Sequence, residues 1–215
     1  MPGGSNNEAL SGNDIVGGGY NNTASGGSAA VMSGYENTAS GGTSFIGGGN
    51  NNNATNTNVT IAGGNQNNAS GYISTIAGGL FNNASGQFAA VPGGRNNSAG
   101  GDNSFAAGSY MQLSSEADGT FVFGQHSSDV DITQANAFLI FPAGTAGKTG
   151  IGTTEPTATL DVNGTTGYDQ VRMRQSYTPT GSADSNGNTG DIAWDDDHLY
   201  VKVSSGWKRA SLEAF

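Results

Sequence analysis

The sequence contains no cysteine, so neither a disulfide framework nor a thiolate metal site is open to it, and redox chemistry does not mark its compartment. Charge is scarce: 11% of residues are charged, and 17 acidic against 7 basic residues give a formal net charge of -10. That balance opposes non-specific binding to nucleic acid or to an anionic membrane surface, so no nucleic-acid partner is expected. Apolar residues make up only 34% of the chain. No apolar run approaches the roughly 18 residues that a spanning helix needs, and membrane insertion is not expected. Histidine occurs only at His126 and His198, and neither stands in a nucleophile motif such as G-x-S-x-G. The N-terminal Met1-Pro2-Gly3-Gly4 lacks the charged and apolar regions of a signal peptide. A repeat already running at residue 3 predicts a fragment of a longer protein, or one exported without a cleaved signal, as virion components are.

Glycine is abundant, with 37 residues. So little apolar surface does not build an ordinary globular core for 215 residues, which leaves disorder or a repeat architecture. The phase of the residues decides for the repeat. At a step of fifteen, one column reads Gly4, Gly19, Gly34, Gly49, Gly64, Gly79 and Gly94. Three residues on stand Asn7, Asn22, Asn37, Asn52, Asn67, Asn82 and Asn97, and two further on Ala9, Ala24, Ala39, Ala54, Ala69, Ala84 and Ala99. A fourth column, Val16, Val31, Ile46, Ile61, Ile76 and Val91, ends at Ala106. A flexible Gly/Asn/Ser linker has no reason to hold these columns in phase.

Each column has a physical reading if one repeat is one turn of a parallel β-solenoid, in which residues fifteen apart stack at the ~4.8 Å strand spacing. The glycines suit corners that need positive φ or close backbone approach. The Val/Ile column suits an inward strand position, and alanine a narrow cross-section. The asparagines suit a side-chain amide ladder or turn residues that satisfy their own backbone. A rod this thin, with so few large apolar residues, is under-supported alone, and packing several copies side by side buries further faces. A closed trimer leaves no open edge.

After Ala99 the phase is expected to slip, with Gly108 still in step and Thr120-Phe121-Val122-Phe123-Gly124 arriving a residue late. Residues 100–141 read as modified last turns plus a capping strand, Ala137-Phe138-Leu139-Ile140-Phe141. Residues 165–190, rich in Thr, Ser, Gly and Asn, read as turns and extended chain. Three strand candidates follow at 191–194, 198–203 and 207–212, joined by Asp195-Asp196-Asp197 and Ser204-Ser205-Gly206, and they suit a small antiparallel meander. The organisation is therefore a solenoid over 3–124, a capping strand and trimeric connector over 125–164, and a C-terminal β-meander tip over 165–215.

For chemistry, both histidines read as structural or solvated. The three consecutive aspartates lack the spacing of a calcium loop and read as a hairpin turn. No cofactor and no metal is assigned, and no enzymatic activity is expected. The candidates for ligand binding are the aromatics Trp194, Tyr200 and Trp207, because sugar rings stack on aromatic faces, against the reading that they form the tip's own core. An ice-binding face would want a regular threonine array. Thr60 and Thr75 align, but Ala30, Phe45 and Ala90 fill the same column.

Two stretches carry a resemblance. Asn82-Asn83-Ala84-Ser85-Gly86-Gln87-Phe88-Ala89-Ala90-Val91 and Asn22-Thr23-Ala24-Ser25-Gly26-Gly27-Ser28-Ala29-Ala30-Val31 resemble the head repeats of YadA-like trimeric autotransporter adhesins, although the family repeat is near fourteen residues. Gly150-Ile151-Gly152-Thr153-Thr154-Glu155-Pro156-Thr157-Ala158-Thr159-Leu160-Asp161-Val162-Asn163-Gly164 looks like a segment that recurs in phage tail fibres, where it commonly precedes a trimerising C-terminal region. The resemblances imply a trimeric tail fibre or adhesin. The expectation is an all-β homotrimer, extracellular on a virion tail fibre or a bacterial surface, that attaches to a host-surface glycan or receptor. A structural spacer of a longer fibre is the chief alternative, ahead of an ice-binding protein or a polysaccharide depolymerase.

Overall fold

Parallel pairing runs through the N-terminal two-thirds of the chain, at a step of fifteen as far as Phe105. The computed structural model describes residues 3–141, 147–151, 153, 155–162 and 176–212. It divides into two compact units, Met1–Thr149 with Glu155–Asp161, and Gly150–Thr154 with Val162–Phe215, and each is described by itself.

The first unit is a parallel β-solenoid of about 10 turns. Three ladders of short pairings run along it. In one, Ala9 pairs with Ala24 and the register continues to Ala84 with Ala99. In the second, Val16 pairs with Val31 and so on to Ile76 with Val91. The third is a run of single bridges from Ser5–Tyr20 to Leu80–Arg95.

The strands are only two residues long because corners close in on either side. At one corner a glycine at φ between +89° and +112° precedes, by two positions, a residue in the left-handed region; Asn6, Asn21, Asn51 and Asn96 lie near φ +56°. Asparagine tolerates that conformation better than most side chains, which accounts for its frequency there. The glycine itself is obligatory. A Cβ on Gly49 would lie 2.1 Å from the Gly64 carbonyl oxygen and 2.8 Å from Asn52 Nδ2.

Inside, each rung holds one alanine, one Val or Ile, one asparagine and one further small residue such as Ala29, Ser44 or Val59, all buried. The inward placement of the Val/Ile and Ala columns follows from strand alternation. Position 108 departs from the sequence reading. Gly108 is not in step: it pairs with Gly94 and Leu113 with Ala99, so one residue is lost where two glycines had turned the corner. From there the strands lengthen to Phe105–Leu113 and Phe121–Ile132, paired in parallel with an irregularity between Ser109 and Met111. The strand expected as a cap is Phe138–Phe141, and it lies parallel on Phe121–Gly124.

Thr149–Ile151 and Leu160–Val162 form a two-stranded sheet. Next to it, hydrogen bonds from the Thr157 backbone N–H and hydroxyl hold the Asp161 carboxyl below its ordinary range. Gly152, Thr154, Asn163 and Gly164 of the fibre-like segment, and residues 165–175, lie outside the described residues.

The second unit carries an antiparallel meander of Ile192–Trp194, His198–Val203 and Gly206–Ser211. Its first turn is closed by Asp195, whose Oδ1 accepts the N–H groups of Asp197 at 3.0 Å and His198 at 2.8 Å. That is the local side-chain-to-backbone bonding that makes aspartate a turn residue. Ala193, Tyr200 and Trp207 form the core of this unit.

Candidate functional site

Three surfaces or clusters carry distinctive chemistry, beginning with the asparagine column. Asn22 Nδ2 reaches Gly34 O at 2.8 Å, Gly18 O at 3.1 Å and Asn7 Oδ1 at 3.1 Å, while Asn22 Oδ1 accepts from the N–H and Nδ2 of Asn37, both at 3.0 Å. The same pattern recurs at Asn37 and Asn52; Asn67 Oδ1 accepts the backbone N–H of Asn82, and Asn82 and Asn97 extend the column. Met111 ends it, donating only its backbone N–H to Asn97 Oδ1 at 3.1 Å. These side chains are buried and fully occupied along the axis, so they hold the rod together and offer nothing outward.

The second surface lies on the outside of the Val/Ile ladder. Strand alternation turns the residue before and the residue after each core Val or Ile outward. The first row is Ile15, Ala30, Phe45, Thr60, Thr75, Ala90, Phe105, Phe121 and Phe138; the second is Gly17, Met32, Gly47, Ala62, Ala77, Pro92, Ala107, Phe123 and Ile140, of which Ala107 is buried. Neither row contains a charged residue, and only the two threonines are polar. Phe105, Phe121 and Phe138 stack ring on ring at 4.5 and 4.9 Å. Phe138 is 69% exposed and Phe123 57%. The sequence reading weighed the first of these rows only for threonine and missed the face. The signal was the apolar residue on each side of every core Val or Ile, obscured because many are Gly or Ala.

The third is the C-terminal sheet, where the predicted binding aromatics separate. Ala193, Tyr200 and Arg209 stand in register across the three strands, and Trp207 lies on their side two residues from Arg209. Tyr200 and Trp207 are each only 5% exposed. Their polar atoms are engaged: the Tyr200 hydroxyl donates to Asp195 Oδ2 at 2.6 Å, and Trp207 Nε1 donates to Asn186 O at 3.0 Å. Lys202 Nζ lies 5.2 Å from the Trp207 ring centre. Both therefore belong to the core of the unit. Trp194 is on the opposite face, in register with Leu199 and Ala210 and beside Ile192, Val201 and Leu212, a second apolar sheet face on which Lys208 is the charged member.

Two concavities flank Trp207. One, of about 440 Å³, includes Tyr177, Asn186, Gly187 and Asp191 in its wall; the other, of about 340 Å³, includes Thr180, Ser182, Lys208 and Arg209. Sequence reasoning did not single out Tyr177, Asn186 or Asp191. Tyr177 and Asn186 fall in a stretch that reads as turns and Asp191 opens a strand candidate, and only tertiary folding brings them together.

Electrostatics in this unit centre on two carboxylates. The Tyr177 hydroxyl, with the N–H groups of Thr180 and Asn186, holds Asp184 far below its ordinary value, and the Tyr200 hydroxyl does the same for Asp195. The reciprocal effect raises both tyrosines. His198 Nδ1 sits 3.5 Å from Asp195 Oδ1, and His126 Nδ1 sits 3.0 Å from the Ser128 carbonyl oxygen. Among the described residues, no group of three or more His, Cys, Asp or Glu is placed to hold a metal ion.

No protein-family model and no curated protein sequence matches the chain.

Proposed function

We propose that the chain is a non-enzymatic attachment protein of an extracellular fibre, of the virion tail-fibre or bacterial-surface kind, acting as a homotrimer that binds a host-surface glycan or receptor. The observation that carries this reading is the uncharged outward face along the Val/Ile ladder. It spans nine rungs from Ile15 to Phe138, a strip roughly 40 Å long and about 10 Å wide at strand spacing. A strip of that size, polar only at Thr60 and Thr75, matches the main apolar patch of a soluble protein, and such patches are often functional. Three copies turning one such face to a common axis close the assembly with no face left over. The apolar side of the C-terminal sheet, with Ile192, Trp194 and Leu212, supplies a second self-association surface.

In this account the solenoid is the assembly body and the C-terminal unit the binding module, with weak sites multiplied by three. The test is binding of the intact, labelled protein to whole cells and to immobilised surface polysaccharides. Saturable binding supports attachment; assembly into a trimer with no binding to any surface supports the second reading, a structural spacer. That second reading is favoured by the other strand-bearing side of the solenoid, where Thr23, Ser25, Thr38 and Ser40 present small hydroxyls.

A further inference from the structure

The concavity between Tyr177 and Trp207 has the features of a ligand site rather than a packing gap. Its two aromatic rings are 6.0 Å apart at 51°, which makes an open V. At its floor stands Gly187, with φ +81°, where an added Cβ would fall 2.8 Å from Trp207 Cζ2 and 3.1 Å from Asp191 Oδ2. A side chain at this position would collide with the Trp207 ring, so glycine is what lets the backbone close the floor of the cleft against it. The walls are fixed in advance. The Tyr177 hydroxyl donates to Asp184 Oδ2 at 2.5 Å and accepts from Asn186 Nδ2 at 3.0 Å, and Asn186 Nδ2 also reaches Asp184 Oδ1 at 2.9 Å. Tyr177 nevertheless remains 38% exposed, so a ring held by two polar partners keeps a face open.

We propose that this cleft binds one ring of a neutral sugar. The inference rests on the attachment reading above and names the ligand class and the site. A pyranose presents an apolar C–H face and a rim of hydroxyls, which match an aromatic wall with polar groups beside it. Asp191 Oδ2 accepts the Asn188 N–H at 2.7 Å, which leaves Oδ1 to accept a sugar hydroxyl. Asp184 and Asp191, offset in part by the Lys202 ammonium over the Trp207 ring, favour a neutral over an acidic sugar. A volume of about 440 Å³ falls within the roughly 300–1,000 Å³ of small-ligand sites.

The experiment is a titration of the intact protein, following the Trp207 indole N–H resonance, with methyl glucoside, methyl galactoside, methyl mannoside and N-acetylglucosamine, and with glucuronate and sialic acid as acidic counterparts. The proposal expects saturable shifts with at least one neutral probe at Kd about 1–10 mM. It expects about tenfold weakening in Tyr177→Leu and a smaller loss in Asp191→Asn, which keeps the turn acceptor; near-UV circular dichroism verifies that each variant is folded. Binding of acidic probes alone, or a loss in Arg209→Ala instead, would place the ligand in the neighbouring basic concavity and overturn the assignment. No shift with any probe overturns it too. If the intact protein still binds cells or polysaccharide while Tyr177→Leu binds them equally, this site fails and attachment stands; if nothing binds, both fail.

Discussion

Asn52 Oδ1 accepts both the backbone N–H and the side-chain Nδ2 of Asn67, each at 3.1 Å, one full turn along the solenoid. The Asn52 Nδ2 in turn reaches Gly48 O at 3.1 Å and Gly64 O at 2.9 Å. One amide thus serves groups on neighbouring turns in a place water does not reach. Removing one partner of a buried hydrogen bond costs the desolvation of the other, about 1–3 kcal/mol each. Asn52→Ala is expected to destabilise the solenoid by about 2–5 kcal/mol in denaturant unfolding. Asn52→Asp, which cannot donate when ionised, should cost at least as much at neutral pH. Asn53→Ala, one residue on and only half-buried, should cost less than about 1 kcal/mol. Equal effects at 52 and 53 would refute a structural role specific to the inner column.

The glycine corner gives a sharper contrast between neighbours. A Cβ on Gly64 would lie 2.4 Å from Gly79 O with φ at +98°, whereas a Cβ on Gly63 meets nothing nearer than Gly48 O at 3.8 Å. Gly64→Ala is expected to cost about 3–5 kcal/mol from strain and overpacking together. Gly63→Ala should stay within about 1 kcal/mol of the parent protein. Thermal unfolding of the pair measures the difference.

Ile73 sits at φ +56°, a conformation unfavourable for a β-branched residue, while Asn58 and Asn103 occupy the equivalent corners at φ +59° and +57°. Ile73→Asn should relieve part of the ~1–2 kcal/mol left-handed penalty. Because the Ile73 side chain is 38% exposed, little burial is lost in return. A net gain of about 0.5–1 kcal/mol is expected, and a loss of stability would show that its side-chain contacts outweigh the strain.

The C-terminal unit should respond to pH at both extremes. Asp184 and Asp195 are held below the ordinary value of 3.8, so they contribute stability above that value and lose it as pH falls through their lower folded values. Tyr177 and Tyr200 are raised above 10.0, so their contribution is complete below pH 10 and is lost as pH rises through the folded values. Tryptophan fluorescence should therefore stay level from about pH 5 to pH 9 and change only beyond, in acid and in alkali. The amide ladder contains no titratable group. A transition near neutral pH would contradict this assignment.

The sequence made the solenoid legible because its repeat is written in residues with few alternatives. The Gly49 column admits no Cβ, the Asn52 column needs an amide that both donates and accepts, and Ile46 or Ile61 must fill the core. Where those constraints ended, reading became harder. Met111 and Leu113 take over the places of Asn97 and Ala99 after a one-residue deletion at the corner, and column alignment alone placed Gly108 one residue out of register. The meander was legible from its alternation and its aspartate turn. Alternation also separates Trp194 from Tyr200 and Trp207, although composition had grouped all three. The Tyr177 cleft was not legible, because it arises when a turn-rich segment packs on a sheet and the contact leaves no periodic trace.

Self-association through the apolar face is the central claim, and the solution mass by light scattering coupled to size exclusion, over a wide concentration range, tests it most directly. The account predicts a mass three times that of the 21.5 kDa chain, stable on dilution and lowered when Phe45→Asp places a charge in the middle of the face. A mass of one chain at every concentration, or a trimer indifferent to Phe45→Asp, would contradict it.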